Sequence, residues 1–154
     1  MAADRPQDQR AAFQASRIPG SRAGRRVAAA GPVLVVRCAH QYTRPRIRVE
    51  AVAGARDDDP QWHWEERMRL VLPTGVVLVD TDPTQVLDMP PVHLAGGPGV
   101  HGLAVGHVGR AEVQEAARRV AEETMTAPVA RTIAAWRSLD GVERYLIRLW
   151  PLAT

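Results

Sequence analysis

Two periodicities divide the chain. From Val33 to Val108 apolar residues alternate or gather in short runs, as strands require. From Ala111 to Leu139 they recur every three or four positions, as helices require. Val33–Val36 is a β-branched run that predicts a strand reaching toward Cys38. Arg44–Val52 alternates, with Ile47, Val49 and Ala51 on one parity and Arg46, Arg48 and Glu50 on the other, a half-buried strand. Residues 54–60 read as a polar loop. Trp62, Trp64, Met68, Leu70 and Leu72 then share one parity, opposite His63, Glu65, Arg67, Arg69 and Val71. Glu66 falls on the apolar parity, so this segment has either an edge position or a bulge there. Pro73-Thr74-Gly75 is a turn, and Val76–Val79 is expected to fold back as a hairpin with the preceding strand. A short strand at Val92–Leu94, a tight turn at residues 95–99 and a glycine-diluted strand at Val100–Val108 follow, with Leu103 and Val105 toward the core.

The helical stretch reads as a hairpin. Val113, Ala117, Val120 and Thr124 make one stripe over Ala111–Met125, supported by charge pairs such as Glu115–Arg119. Thr126 is the expected cap of a second helix with Pro128 in its first turn, Val129, Ile133 and Trp136 as its apolar stripe, and Gly141 as its stop. Glu143–Trp150 closes the series as a strand, Tyr145, Ile147 and Leu149 on one face and Leu146 and Trp150 on the other. Apolar residues on both faces imply a central strand, or one covered by the helices through Trp136. The whole predicts a mainly β protein, an antiparallel β-sandwich with a helical hairpin (111–140) inserted before the last strand. Residues 1–31, with six arginines and few large apolar residues, read as a basic tail, and residues 32–154 as the domain.

Composition adds a charge asymmetry. All 20 basic residues are arginine; ten lie in residues 1–48 against Asp4 and Asp8, and ten in residues 49–154 against fifteen acids. That describes a basic arm on a neutral-to-acidic body. Cys38 is the only cysteine, which rules out an intrachain disulfide and suits a reducing compartment. No apolar run approaches the ~20 residues of a membrane helix, and the N-terminus has no signal-peptide pattern. The expected compartment is the cytoplasm, with no membrane partner.

Trp64-Glu65-Glu66, Pro73-Thr74-Gly75, Gly97-Pro98-Gly99, Gly109-Arg110 and Glu143-Arg144-Tyr145-Leu146, followed by Leu149-Trp150-Pro151, occur in an order that resembles a widespread group of uncharacterised actinobacterial proteins. More loosely the chain resembles competence nuclease-inhibitor proteins. The resemblance implies a small β-sandwich and no mechanism. The chain departs from the group where a basic strand would stand, carrying Gly102, Ala104 and Gly106 instead, and the helices look like an expanded loop.

Candidate chemistry is sparse. Gly97-x-Gly99-x-x-Gly102 has the spacing of a dinucleotide loop, but a proline sits inside it and a strand follows where a helix is needed. His101 and His107 share a face six residues apart, too far for one ion; His63 and Glu65, joined by His93, are the better metal or small-molecule candidates. Cys38 and His40 are parallel neighbours on one face, a poor nucleophile pair. Asp57-Asp58-Asp59, and Asp80 with Asp82, lack the pattern of a calcium loop. No GxSxG, phosphate-binding loop or HExxH occurs. The expectation is therefore no catalytic, cofactor or metal residue, and a non-enzymatic domain that binds another protein, as an inhibitor or immunity-type factor. The alternative is nucleic-acid binding through Arg22, Arg25, Arg26, Arg44, Arg46 and Arg48.

Overall fold

The computed structural model describes residues 26–56, 59–79 and 90–153. Among the described residues nine strands and two helices run in the order β1 (Val27–Ala30), β2 (Val33–Val36), β3 (Arg46–Ala51), β4 (His63–Trp64), β5 (Met68–Leu72), β6 (Val76–Val77), β7 (Val92–His93), β8 (Gly99–Val108), α1 (Arg110–Thr124), α2 (Val129–Arg137) and β9 (Arg144–Pro151). The protein is mainly β, and β1 begins within the stretch read as tail. The principal sheet has the order β3-β9-β8, with β4 and β5 both paired along the far edge of β8. β1-β2 and β6-β7 are separate two-stranded ribbons.

Two pairings differ from the expected antiparallel arrangement. β3 runs parallel to β9, Ile47 beside Tyr145 and Val49 beside Ile147, so the sheet is mixed. β5 pairs with β8 instead of folding back on the following strand, and Val76–Val77 pairs with Val92–His93. The cause lies in the turn between β5 and β6. Gly75 adopts φ +67°, its carbonyl accepts from the Leu94 N–H at 2.9 Å, and a Cβ there would collide with the Gly97 backbone. That turn is docked on residues 94–98, which carries the chain away from β5.

One face of the sheet is the core. Leu103 and Val105 of β8, Tyr145, Ile147 and Leu149 of β9, and Leu70 and Leu72 of β5 are buried together with Val27 and Leu94. Ile47, Val49, Met68, Leu34 and Val36 pack against them, so the β1-β2 ribbon closes this face. The Val71 N–H donates to the Gly31 carbonyl at 3.0 Å, fixing the ribbon's turn beside β5. β9 lies between β3 and β8, the central position its two apolar faces implied.

The helices form a satellite core: Val113, Ala117 and Val120 of α1 pack with Leu139, Ala39, Ala135 and Trp136. Trp136 therefore does not cover β9. Its ring stacks on His40 at 4.8 Å and meets Tyr42 edge-on at 5.4 Å. Thr126 is not the cap of α2; Pro128 takes that position with no side-chain hydrogen bond. Nor is the α2 stripe core, since Val129 and Ile133 are 75% and 46% exposed. No helix among the described residues is long and apolar enough to cross a membrane.

Candidate functional site: an arginine–tryptophan sheet face

The second face of the sheet carries the unexpected chemistry, and one extra residue creates it. Trp64 pairs with Gly106 and Met68 with Leu103. Four positions separate the first residues and three separate their partners, so the 65–67 segment holds one surplus residue. That is a bulge, and it reverses which parity faces the core. Met68, Leu70 and Leu72 point inward, while Trp62 and Trp64 lie on the outer face, apart from the apolar residues whose parity they share.

The outer face of β8 is built to receive them. Gly102, Ala104 and Gly106 occupy its outward positions, while His101, Leu103, Val105 and His107 take the inward ones. A Cβ on Gly106 would come within 3.0 Å of the Trp62 Cβ and 3.2 Å of the Trp64 ring. A Cβ on Gly102 would sit inside the Trp150 indole. Gly102 is thus a shelf for the Trp150 indole, and Gly106 one for the Trp64 ring and the Trp62 Cβ.

Guanidinium groups lie over those rings. Arg148 is 5.0 Å from the Trp64 ring centre, Arg144 5.9 Å from Trp62, and Arg67 5.9 Å from Trp150. Such cation–π contacts contribute about 0.5–1 kcal/mol each when exposed and more when desolvated. The strand register sets Arg46 and Arg48 of β3 on the same face beside Arg144 and Leu146, and Arg69 of β5 beside Gly102. Six arginines share this face with one carboxylate of the paired strands, Glu50, which Arg48 and Arg148 both contact, at 2.9 and 3.0 Å. Arg46, Arg67, Arg69 and Arg144 are exposed, and so is Arg48. The loop before β4 lies against this face: the Trp64 indole N–H donates to the Asp59 carbonyl at 2.9 Å and the Arg67 guanidinium to the Arg56 carbonyl at 3.0 Å.

The arginines proposed from sequence are dispersed. Arg46 and Arg48 are on this face. Arg44 lines a groove with Tyr42, Ile133, Trp136, Arg137 and Asp140, and its backbone N–H donates to Asp140 at 2.9 Å. Arg26 is on the core side, where its guanidinium lies 3.2 Å from His107 Nε2 and 3.6 Å from Glu65. Arg22 and Arg25 lie outside the described residues. What sequence reading missed is Trp62, Trp64, Trp150, Arg67, Arg69, Arg144 and Arg148 as one surface. The signals available were the surplus residue at Glu66 and the small residues at 102, 104 and 106.

Two polar clusters on the core side complete the inventory. His63 and His107 face each other at 5.6 Å, and Glu65 Oε1 is 3.2 Å from His107 Nε2. Burial holds the His107 imidazole below its ordinary 6.5 against the opposite pull of Glu65, and Arg26, Arg110 and His63 add to the lowering. Arg26 places a cation where a metal would approach, and His93 is paired with Val76 in the β6-β7 ribbon. Among the described residues no three His, Cys, Asp or Glu side chains are grouped to hold a metal.

The second cluster is an anchor. Glu143, 1% exposed, accepts the Ala39 N–H at 2.8 and 3.1 Å, Arg110 at 2.9 Å, and the Tyr145 hydroxyl. Burial, then the Glu143 hydrogen bond and charge, push the Tyr145 phenol well above its ordinary range. With both carboxylate oxygens and the guanidinium engaged, the cluster ties residues 37–39 to the start of β9. Cys38 sits beside it and reaches solvent, whereas His40 is turned onto Trp136, so the two form no nucleophile pair. Asp59 is engaged by Gln61 at 2.6 Å; Asp57, Asp58, Asp80 and Asp82 lie outside the described residues. The Gly97–Gly102 segment leads into β8, not into a helix.

Comparison of the chain with family models, with curated proteins and with solved structures returns no match.

Proposed function

We propose that the protein binds single-stranded nucleic acid on the outer face of its principal sheet. The observation that carries this reading is the interleaving of three indoles with six guanidiniums on one side of a sheet. Guanidiniums supply phosphate contacts, and a guanidinium plane seated on an indole also offers a surface on which a base can stack. A broad sheet face has no helix or protruding ribbon to enter a duplex groove, and suits a flexible strand laid across it. Recognition is backbone-led and tolerant of sequence. The arginine-rich N-terminal residues add charge at long range, while the sheet face holds the ligand.

The test is photocrosslinking of the full chain to an oligonucleotide carrying 4-thiouridine, with the adducts mapped by mass spectrometry. Adducts on the peptides containing Trp62–Arg69 and Arg144–Trp150 are expected. Adducts confined to residues 1–25, or none above those of a neutral control protein, contradict the reading. An equal affinity for polyglutamate in competition would move the assignment to an acidic protein surface.

A further inference from the structure

We infer that the groove between the 40–44 loop and the end of α2 is a nucleotide subsite, taking one further nucleotide of a single strand that lies on the outer sheet face. The inference rests on the nucleic-acid reading of that face and extends it. Tyr42 is 63% exposed, but its ring is propped on two others. It meets Trp136 edge-on at 5.4 Å and lies 5.5 Å from His40. His40 is itself stacked on Trp136, which packs on the helical satellite core. The backbone fixes the same loop. The Tyr42 N–H donates to His40 Nδ1 at 3.3 Å, the Arg44 N–H to Asp140 at 2.9 Å, and the Gly141 N–H to the Arg44 carbonyl at 2.8 Å. Thr43, between Tyr42 and Arg44, is buried. An exposed aromatic ring held this way receives a base with little ordering cost.

The charges beside the ring say what else the occupant carries. Arg44 and Arg137 line the groove with Ile133, Trp136 and one carboxylate, Asp140, around an open volume of about 350 Å³. That is the low end of small-ligand sites, about 300–1,000 Å³, and has room for one nucleotide. Asp140 Oδ1 already accepts the Arg44 N–H, and among the described residues the guanidiniums of Arg44 and Arg137 enter no ion pair. The groove is continuous with the sheet face. Arg46 opens β3 beside Arg144 on that face, and its guanidinium reaches Gly141, where a Cβ would stand 3.7 Å from Nη2. Arg44 is two residues before it, at most about 7 Å along the chain. Arg144, Arg46, Arg44 and Arg137 thus make one cationic track from the sheet to the groove. Phosphates following that track bring the next base to Tyr42. Charge alone would suit any polyanion; the propped ring favours one that carries a flat base.

Anisotropy of a fluorescent oligothymidylate of about 12 nucleotides, titrated with the full chain, tests this. Tyr42→Ala should raise the dissociation constant about tenfold with an unchanged far-ultraviolet circular dichroism spectrum. Tyr42→Phe should restore native affinity, and Tyr42→Leu should not, because the ring and not its hydroxyl or its apolar bulk holds the base. Arg44→Gln/Arg137→Gln, at two exposed positions, should lower the log–log salt slope by about 1 to 2. A native chain that binds while Tyr42→Ala and the double arginine variant bind equally well overturns the subsite and leaves the sheet face standing. A loss in Tyr42→Ala that phenylalanine does not restore also overturns it. So does a polyglutamate probe whose binding Tyr42→Ala weakens to the same degree, which would assign the groove to an acidic protein. A native chain that binds no oligonucleotide overturns both the subsite and the sheet-face reading.

Discussion

Gly102→Ala is the sharpest test of how the outer face is assembled. A methyl group at residue 102 would occupy the space of the Trp150 indole, which is 8% exposed. Either the ring is forced out or the sheet is strained. A buried tryptophan covers roughly 150–250 Å², worth about 4–6 kcal/mol at ~25 cal/mol per Å² as an upper bound. Overpacking that is partly relieved by backbone movement costs ~1–3 kcal/mol. A loss of about 3 kcal/mol is therefore expected, with the guanidinium of Arg67 displaced along with the ring. The sign should reverse once the ring is gone. In a Trp150→Ala background the same substitution should be neutral or stabilise by ~0.5–1 kcal/mol, because alanine loses less backbone entropy than glycine. Urea unfolding followed by far-ultraviolet circular dichroism gives all four corners of this cycle. Equal effects of Gly102→Ala in the two backgrounds would refute the shelf.

Three further outcomes follow from the geometry. Glu143→Gln should cost roughly 3–5 kcal/mol, since it leaves Arg110 without its buried countercharge; chemical denaturation measures it, and a change under ~1 kcal/mol contradicts the anchor. His107 binds its proton less readily folded than unfolded, so its contribution is complete above its ordinary 6.5 and is lost as pH falls below that value toward the depressed folded value. Melting temperature should thus drop between about pH 7 and pH 5 more steeply in the native protein than in His107→Gln, and parallel profiles would remove His107 from the account. Gly106→Val should both destabilise the fold and weaken oligonucleotide binding, because its side chain meets Trp62 and Trp64 together; loss of stability with unchanged affinity would separate those rings from the ligand surface.

Local periodicity made much of this fold legible. The alternation set Tyr145, Ile147 and Leu149 of β9 on one face and Ile47, Val49 and Ala51 of β3 on another; the first three are buried in the core, Ile47 and Val49 pack against it, and Ala51 is exposed. What local pattern cannot encode is which strands meet. The parallel pairing of β3 with β9 and the attachment of β5 to β8 are long-range choices, and the docked Gly75 turn accompanies the second of them. The site was hidden for a related reason. A single surplus residue near Glu66 sends Trp62 and Trp64 to the opposite face from Met68, so arginines and tryptophans far apart in sequence become neighbours in space. The α2 stripe had the periodicity of a core helix and lies at the surface, because periodicity identifies an apolar side without identifying what covers it.

The central claim, a nucleic-acid surface on the outer sheet face, is tested most directly by the salt dependence of binding. The dissociation constant of a fluorescent single-stranded oligonucleotide is measured by anisotropy over a range of sodium chloride, for the native chain and for Arg46→Gln/Arg48→Gln/Arg144→Gln. Four or five phosphate contacts predict a log–log slope of roughly −3 for the native chain, and the triple variant should lose about 2 of it together with most of its affinity at low salt. Binding that is absent, insensitive to salt, or unchanged in the triple variant would contradict the account.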